Sequence, residues 1–327
     1  MTLSKLKVTE METSTLRKIW LDTDPGFDDW LTMLLLAANP GLDWLGISVV
    51  AGNAPLDATF DNALRIKSHY GLGVTLYRGC SAPLACTSQV ETAQAILGQD
   101  GMRTTGTILP PVAPQTPGIH AVDALIAAIR QHPGQISLLA IAPLTNIATA
   151  LLQAPDIAAD IKEIILMGGS TDQGNHTAAA EFNMYADPEA ADVVFRAGVP
   201  LRMFGLNLCR QISISSAEVM QVRAIGTQRS DWLAGYLDAY QRIRSADGSQ
   251  PMPMYDPVVA LYLRWPELFA FKPAHVDIEL SGHFTRGMTV CEFRVPQRAA
   301  ANAQVAMHID GKLALRYLMA DLLPALA

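Results

Sequence analysis

Apolar runs of strand length alternate with segments of helical period along the first two thirds of the chain. The predicted strands, some of which run into loops, are 18–24, 45–53, 74–79, 136–146, 161–170 and 201–207. The predicted helices between them are 28–38, 57–69, 121–131, 147–152 and 188–197. Because this alternation is typical of βαβ units, we predict an α/β fold with a mostly parallel central sheet flanked by helices.

The alternation stops in the last third of the chain. Residues 215–265 predict two or three consecutive helices, with a loop at 245–253 before the last of them. We expect this segment to be a helical insertion that covers an edge of the sheet near the functional site. The tail, 275–327, predicts strands followed by a closing helix. Since there is no internal repeat and no long linker, we expect 18–327 to form one domain after a flexible N-terminal extension at 1–17.

The composition is that of a large globular protein. Of the 327 residues, 50% are hydrophobic and 17% are charged, which supplies a large core and excludes wholesale disorder. The formal net charge of −7 argues against binding to nucleic acid or to an anionic membrane, both of which attract a basic surface. No apolar run approaches the ~20 residues of a membrane span, and 1–18 has no signal-peptide pattern. Together with four scattered cysteines and no CxxC pair, these features predict a soluble cytoplasmic protein.

Four aspartates lie within eight residues in the segment 22–29, DTDPGFDD. Clustered carboxylates repel one another and need a cation, protonation or full solvation. The Pro-Gly turn at the centre of the segment can fold Asp24 back toward Asp28 and Asp29. Such an arrangement suits a hard cation that prefers oxygen ligands, such as Ca²⁺ or Mg²⁺. The alternative is an acidic first turn that only caps a helix.

Further polar residues follow later strands. The segment GNHTAAAEFN places Asn175, Glu181 and Asn183 near one another, and this mixture of donors and acceptors suits the hydroxyls of a polyol. Asp256 precedes a predicted helix, and Thr145 lies in a loop that can offer a backbone carbonyl to a metal. Each segment has a plainer alternative, which is a local turn or a helix cap. Because ligands bind at the carboxyl ends of parallel strands, these clusters point to one crevice.

Other catalytic patterns in the sequence are weak or absent. The seven histidines form no HxxxH or HExxH pattern, so no zinc site is expected, and His176 is expected to be a solvated loop residue. Neither a G-x-S-x-G nucleophile motif nor a Walker loop occurs. Asp22 and Asp24 have the spacing of the aspartyl nucleophile signature of haloacid-dehalogenase-like phosphatases, but Pro25 follows where those enzymes have a small flexible segment.

The order of these clusters resembles the inosine-uridine preferring nucleoside hydrolase family, from about Lys18 to the C-terminus. The motifs that carry the resemblance are DTDPGFDD, VVAGN, APLTNIA, LMGGS, GNHTAAAEFN, YADPEAA, YDP and TRGMT. The resemblance implies a Rossmann-like α/β fold, a bound Ca²⁺ and hydrolysis of the N-glycosidic bond of ribonucleosides. It also implies a homodimer or a homotetramer, since members of the family commonly assemble in this way.

Carried over by position, the resemblance assigns the catalytic base and the metal ligands. Asp24 matches the general base that removes a proton from the attacking water, and it also matches a calcium ligand. Asp29, Asp256 and the backbone carbonyl of Thr145 match the other calcium ligands. These roles agree with the oxocarbenium-like transition state of glycoside cleavage, in which carboxylates stabilise the developing positive charge.

The resemblance also assigns the ribose contacts. Asp28 and Asn183 match residues that hold the 2′-hydroxyl, and Asn53 lies beside them. The remaining matches are Asn175 and Glu181 on the 3′ and 5′ side of the ribose, Met167 against the sugar, and Asp256.

On the base side the sequence departs from the family pattern. Many non-specific members have a histidine where this chain has Tyr255 and another near Leu97, so both base-side histidines are missing. Purine-specific relatives place an aromatic residue before the last aspartate, and stacking on Tyr255 would activate a purine in the same way. Further base-side candidates are Phe182, Tyr236 and Tyr240, although the two tyrosines are alternatively core residues. We therefore expect a preference for purine ribonucleosides.

Two alternatives remain open from the sequence. The missing base-side histidines are compatible with a catalytically weak protein that binds ribose or a nucleoside. The phosphatase spacing of Asp22 and Asp24 is the second alternative, and it is the less favoured of the two.

Overall fold

The computed structural model describes residues 16–85, 92–115 and 118–327. Its strands are β1 (Arg17–Thr23), β2 (Leu42–Val49), β3 (Leu76–Arg78), β4 (Ile136–Ala140), β5 (Ile161–Met167), β6 (Leu201–Phe204), β7 (Ser213–Ile214), β8 (Met252–Pro253), β9 (Phe269–Ile278), β10 (Thr289–Glu292) and β11 (Ala303–Ile309). Its α-helices are α1 (Phe27–Ala37), α2 (Leu56–Tyr70), α3 (Gln94–Leu97), α4 (Ala121–Gln131), α5 (Thr145–Gln153), α6 (Phe182–Ala186), α7 (Pro188–Arg196), α8 (Leu206–Cys209), α9 (Ser216–Ala224), α10 (Gln228–Arg244), α11 (Pro257–Arg264) and α12 (Gly311–Ala325). Two short 3-10 helices span Pro155–Asp160 and Pro266–Leu268.

One central sheet of nine strands organises the molecule, in the order β10-β9-β11-β6-β5-β4-β1-β2-β3. From β11 to β3 every neighbouring pair in this order is parallel. β9 pairs antiparallel with both β11 and β10, and β7 and β8 form a separate antiparallel ribbon. The prediction of a mostly parallel α/β sheet flanked by helices is confirmed.

Alternate residues of the central strands pack into two hydrophobic cores, one on each face of the sheet. In β1, Ile19 and Leu21 join a core that includes residues of α1, α2, α10, α11 and α12, whereas Trp20 joins the core of α4, α5 and α7. In β4, Leu139 belongs to the first core and Leu138 to the second. Because both faces of these strands are buried, their sequences are continuous apolar runs rather than alternating patterns.

The helices of the predicted insertion separate into two groups. α9 and α10 pack against each other, and α10 also contacts α1, α3 and β8. The last predicted helix, α11, packs instead against α1, α12 and β5, so it belongs to the helical layer on the sheet. The predicted segment 215–265 therefore does not pack as one unit, because the apolar face of α11 is buried against α1, α12 and β5.

The central strands end earlier than the apolar runs that predicted them. In the segment 136–146, predicted as a strand that runs into a loop, the strand ends at Ala140, and the strand predicted at 161–170 ends at Met167. Thr145, which was expected in a loop, is already the first residue of α5. The polar residues at the ends of these runs therefore lie beyond the sheet, in the connections at its carboxyl edge.

Most of the predicted N-terminal extension at 1–17 lies outside the described residues. Within it, Arg17 is the first residue of β1, one residue before the predicted start of the domain. None of the helices in the described ranges combines the length and the apolar content needed to cross a membrane.

Candidate active site

Segments at the carboxyl ends of β1, β2, β4 and β5 surround one cavity of about 250 Å³. The predicted site residues that line it are Asp24, Asp28, Asn53, Leu97, Met167, Asn175, Glu181, Phe182, Asn183, Tyr240, Tyr255 and Asp256. Three other predicted residues, Asp29, Thr145 and Tyr236, are not among its lining residues. The sheet thus gathers side chains from positions 24 to 256 of the sequence around a single space.

Three aspartates form a compact cluster at this cavity. One carboxylate oxygen from each of Asp28, Asp29 and Asp256 lies within 4.8 Å of the other two. Asp28 and Asp29 belong to the first turn of α1, and Asp256 directly precedes α11. Since α1 and α11 pack side by side, the two helix starts bring the acids together. Three carboxylates at this separation can share one cation that prefers oxygen ligands.

Asp29 is held from several sides by the segment that contains it. Its Oδ1 accepts hydrogen bonds from the Thr23 hydroxyl at 2.5 Å and from the Asp24 backbone N–H at 3.3 Å. Its Oδ2 accepts from the Gly26 N–H at 2.8 Å and from Nδ2 of Asn53 at 3.3 Å. The turn at Pro25 and Gly26 therefore folds the segment back on itself, as its sequence predicts.

Asp24 is buried, and its two carboxylate oxygens have different surroundings. Oδ2 accepts a hydrogen bond of 2.6 Å from the backbone N–H of Asn53. Oδ1 is buried and has no hydrogen-bond partner among the described residues. A buried polar atom without a partner is costly, and such atoms in native proteins call for a ligand, an ion or a catalytic role. Oδ1 of Asp24 is thus available to a metal or to a reacting group.

Burial and mutual repulsion raise the pKa values of these acids. Burial, followed by the charge of Asp29, raises the pKa of Asp28 to about 7. The same two causes raise the pKa of Asp24 well above its ordinary value. Burial and then Asp28 do so for Asp256. Carboxylates in this state are poised to exchange their protons for a cation, because a bound positive charge favours the ionised form.

Glu181 and its neighbours form a second polar wall of the cavity. Glu181 is the N-cap of α6, and its carboxylate accepts hydrogen bonds from the backbone N–H groups of Asn183 at 2.9 Å, Met184 at 3.1 Å and Gly169 at 3.0 Å. Burial raises the pKa of Glu181 to about 7, although these hydrogen bonds oppose the shift. A carboxylate has about four acceptor positions, so Glu181 keeps room for a ligand.

Two carboxamides complete this wall. Nδ2 of Asn183 donates to the carbonyl of Met167 at 3.1 Å, so β5 and α6 are joined at the cavity. Oδ1 of Asn175 accepts from the backbone N–H of Phe182 at 3.0 Å. These contacts leave the carbonyl oxygen of Asn183 and the amino group of Asn175 for hydrogen bonds to a ligand.

Thr145 is not a lining residue of the cavity. It is buried, and its hydroxyl donates to Oδ2 of Asp187 at 2.7 Å. Its backbone carbonyl accepts from the Thr149 hydroxyl at 2.7 Å. As the first residue of α5, Thr145 also accepts the helical hydrogen bond from the Thr149 N–H, so both lone pairs of its carbonyl are engaged in this structure.

Asp22, the first acid of the four, is turned away from the other three. Its Oδ1 accepts hydrogen bonds from the Ser48 hydroxyl and, at 2.8 Å, from Nδ2 of Asn146. Burial raises the pKa of Asp22 to about 7, while these two side chains oppose the shift. Asp22 does not line the cavity. The phosphatase alternative needs an accessible aspartate nucleophile at this position, and the described cavity does not offer one.

The two tyrosines of α10 have different environments despite their spacing of one helical turn. Tyr240 lines the cavity, its ring stacks on Phe27 at 5.1 Å, and its hydroxyl donates to the carbonyl of Pro253 at 3.2 Å. Tyr236 packs edge-on against Trp30 at 5.1 Å, and its hydroxyl accepts from the N–H of Leu109 at 3.1 Å. Tyr240 therefore joins the site, and Tyr236 belongs to the core that supports it.

Sequence reasoning missed part of the cavity wall. His176 was expected to be a solvated loop residue, but it is half-buried and lines the cavity. Its ring lies 4.5 Å from that of Tyr185 and 5.4 Å from that of Phe182. The sequence feature that could have indicated this position is that His176 directly follows Asn175, a predicted site residue. The other missed lining residues are Ala93, Ile96, Ile141, Ile243 and Met252, and no sequence pattern distinguishes them from ordinary core positions.

Comparisons with known proteins agree with this architecture. The family model for inosine-uridine preferring nucleoside hydrolase matches residues 19–316. The inosine-uridine preferring nucleoside hydrolase of Leishmania major is 36% identical over 296 residues, which cover 90% of this chain and 93% of that protein. The pyrimidine-specific ribonucleoside hydrolase RihA of Shewanella woodyi is 35% identical over 297 residues, covering 90% and 94%.

A solved structure gives the same result in three dimensions. The purine-preferring ribonucleoside hydrolase from Gardnerella vaginalis is similar to this chain with a TM-score of 0.85 and 29% identity, over 94% of this chain and 99% of that one. The matched range contains every segment that builds the cavity. The chain therefore belongs to the inosine-uridine preferring nucleoside hydrolase family, whose members are enzymes that act on N-glycosyl compounds.

Proposed function

We propose that this protein hydrolyses the N-glycosidic bond of ribonucleosides to a free base and ribose in nucleoside catabolism, with Ca²⁺ as its metal and purine ribonucleosides as preferred substrates. The observation that carries the proposal is the cluster of Asp28, Asp29 and Asp256 at a cavity that Asp24 and Glu181 also line. The acids can hold a cation, and the wall that contains Asn175, Glu181 and Asn183 offers the donors and acceptors that sugar hydroxyls need.

The residues present fit a hard divalent cation. Every side-chain donor in the cluster is a carboxylate oxygen, and Asp24, which also lines the cavity, adds a fourth carboxylate. We assign Asp24, Asp29 and Asp256, with the backbone carbonyl of Thr145, as the residues that hold Ca²⁺. When bound, the cation supplies positive charge that binds the sugar hydroxyls and makes a neighbouring water more acidic.

The ribose is held first at its 2′-hydroxyl. Asp28 lines the cavity and accepts a hydrogen bond from this hydroxyl, while the carbonyl oxygen of Asn183 accepts a second hydrogen bond from the sugar. Asn53, whose amide already binds the Asp24 carbonyl at 3.0 Å, fixes the acidic segment beside this hydroxyl. These contacts position the reacting carbon, which lies next to C2′.

The 3′ and 5′ side of the sugar faces the second wall. The amino group of Asn175 donates to a hydroxyl there, and Glu181 accepts with the lone pairs that its backbone contacts leave. Met167 ends β5 and packs its apolar side chain against the sugar ring. Holding all sides of the ribose supplies several kcal/mol toward the barrier through positioning.

Asp24 is the general base of the reaction. The N–H of Asn53 holds Oδ2, so Oδ1 is left to accept a proton from the attacking water. The water oxygen forms a bond to C1′ as the C1′–N bond breaks, and the electron pair of that bond leaves with the base. Attack from the face opposite the base inverts the anomeric carbon. The surrounding carboxylates stabilise the positive charge that develops on the ribosyl group.

The base lies against aromatic rings. Tyr255, Phe182 and Tyr240 line the cavity together with Leu97. Burial raises the pKa of the Tyr255 phenol above its ordinary value, which makes it a poor proton donor at neutral pH and favours a stacking role. A purine offers the larger face for such stacking, and this supports the purine preference. Since the relatives are named for both purine and pyrimidine preference, this part of the proposal is tested separately.

One alternative has a specific observation in its favour. Tyr255 and Leu97 occupy the positions where many non-specific members have histidines, which favours a catalytically weak protein that binds nucleosides. Assembly into a homodimer or homotetramer, a cytoplasmic location and the absence of nucleic-acid partners are proposed from the resemblance and the composition alone.

The test is ribose release from a panel of purine and pyrimidine ribonucleosides, measured with a reducing-sugar assay. We expect release that is fastest for inosine or guanosine, lost on chelation and restored by Ca²⁺. Saturable nucleoside binding without ribose release would favour the binding protein, and phosphate release from nucleotides would favour the phosphatase. Faster cleavage of uridine than of inosine would contradict the purine preference only.

A further inference from the structure

His176 is the one histidine of this chain that lines the cavity. All seven histidines lie in the described residues, and the other six lie elsewhere in the fold. Those six are His69, His120, His132, His275, His283 and His308. Imidazole is the side chain that both gives and takes a proton near neutral pH, so its presence in the wall of a reaction site bears on proton transfer there.

The loop that carries His176 is tightly organised. The backbone N–H groups of Asn175, His176 and Thr177 all point to the carbonyl of Ala180, at 3.3, 3.2 and 3.2 Å. At the start of the loop, Arg210 donates to the carbonyl of Gln173 at 2.7 Å. These hydrogen bonds fix the backbone of His176 and do not involve its side chain.

The ring of His176 packs against two aromatic neighbours. It lies 4.5 Å from the ring of Tyr185 and 5.4 Å from the ring of Phe182, a base-side candidate. Phe182 is in turn tied to Asn175 by its backbone N–H. The imidazole therefore shares a wall with the group against which the base is proposed to lie.

Cleavage of the glycosidic bond leaves a pair of electrons on a base nitrogen. The base must therefore gain a proton if it is to leave as a neutral molecule. The acids at the cavity are assigned to the cation, the sugar and the water. The hydroxyl of Tyr240 donates to the carbonyl of Pro253 and is already engaged. Phenols, with an ordinary pKa near ~10, are also weak donors at neutral pH. An imidazolium is the better donor among the groups in this wall.

We propose that His176 is the general acid that protonates the leaving base, and this inference rests on the proposed nucleoside hydrolysis. A ring nitrogen of protonated His176 transfers its proton to a nitrogen of the base as the C1′–N bond breaks. The water oxygen bonds to C1′, and its proton passes to Asp24. The proton gained by Asp24 and the proton lost by His176 balance through solvent, so the net reaction is nucleoside plus water to base plus ribose.

The test compares two classes of riboside with the wild type and the His176→Gln variant. Inosine has a leaving group that needs a proton, whereas p-nitrophenyl β-D-ribofuranoside releases a stable phenolate. We expect His176→Gln to lower kcat for inosine by about 100-fold and to change kcat for the chromogenic riboside by less than about threefold. A merely structural role would lower both in proportion.

Two further variants serve as controls. His283→Gln changes an exposed loop histidine that also contacts an aromatic ring, Phe284, and is expected to leave both substrates unaffected. Arg210→Gln loosens the loop at Gln173 while keeping the imidazole, and is expected to affect both substrates alike.

The outcomes separate this inference from the proposed function. Equal loss on both substrates, or no loss on either, in His176→Gln would overturn the role of His176 while wild-type cleavage of inosine upholds the hydrolase. A wild type that releases ribose from no nucleoside would overturn both.

Discussion

The backbone N–H of Asn53 donates a hydrogen bond of 2.6 Å to Oδ2 of Asp24, and the other oxygen of that carboxylate is buried without a partner in the part of the chain that the structure describes. The side chain of Asn53 also donates to the Asp24 carbonyl at 3.0 Å. Because β1 and β2 are neighbouring parallel strands, the loop after β2 meets the residue that follows β1. The orientation of the proposed general base thus depends on a second segment of the chain.

Gly52 makes this close approach possible. A Cβ at this position would overlap Oδ2 of Asp24 and would approach Cδ of Pro143 to 2.8 Å. We expect Gly52→Ala to displace the Asp24 carboxylate and to lower kcat by about 100-fold, because small misplacements of a catalytic group have large effects. Gly73→Ala is the matched control, since a Cβ there meets nothing within 4 Å. Wild-type kcat in Gly52→Ala would contradict the account of how Asp24 is positioned.

Calcium should stabilise the folded protein through the aspartate cluster. A ligand that binds only the native state stabilises it by about 2.7 kcal/mol at 100 times its Kd, so we expect Ca²⁺ to raise Tm by several degrees after chelation. Asp29→Asn should abolish this increase, whereas Asp57→Asn, which changes an exposed acid outside the cavity, should keep it. The readout is thermal unfolding with Ca²⁺ or Mg²⁺. A larger increase with Mg²⁺, or none with either ion, would refute the calcium assignment.

The buried carboxyl of Glu181 should make stability depend on pH. Its folded-state pKa is raised to about 7 by burial, so the fold binds a proton that the unfolded chain has already lost at that pH. Stability from this group is present at low pH and is lost as the pH rises through about 7. Between the ordinary pKa of glutamate and about 7, this group lowers the free energy of unfolding by up to about 1.4 kcal/mol for each pH unit of increase. We expect Glu181→Gln to remove this contribution to the pH dependence. Urea unfolding in chelator at several pH values measures it, and an unchanged slope would contradict the burial of the charge.

Tyr255 should act through its ring rather than through its hydroxyl. We expect Tyr255→Phe to keep kcat/KM for inosine within about threefold, and Tyr255→Leu to lower it by about tenfold or more, since stacking of a base on an aromatic ring contributes ~1–3 kcal/mol. Steady-state kinetics on inosine and uridine measure both effects. If Phe and Leu reduced activity equally, the phenol proton would be the important feature.

The sequence allowed the fold and the gathering of the acids to be predicted because both follow from local patterns. Buried parallel strands are continuous apolar runs, as in 136–140, and ligand-binding residues follow their carboxyl ends. Asp24 and Asp256 could therefore be expected to meet, although 232 positions (256 − 24) separate them in the sequence.

Other features depended on tertiary packing that no local pattern records. The spacing of Tyr236 and Tyr240 places both on the same face of α10. Only Tyr240 lines the cavity, because Tyr236 packs against Trp30 instead. His176 was expected in solvent, and its placement in the wall depends on the rings of Tyr185 and Phe182. Helix α11 looked like part of an insertion because its apolar face cannot indicate which partner buries it.

The most direct test of the central claim is ribose release by Asp24→Asn compared with the wild type, on inosine in saturating Ca²⁺. The variant keeps the size of the side chain but removes the proton acceptor. We predict a loss in kcat of about 1,000-fold or more, with saturable binding of ribose retained in calorimetry. Near-normal turnover in Asp24→Asn, with ribose still bound, would contradict the assignment of Asp24 as the base that activates water at this site.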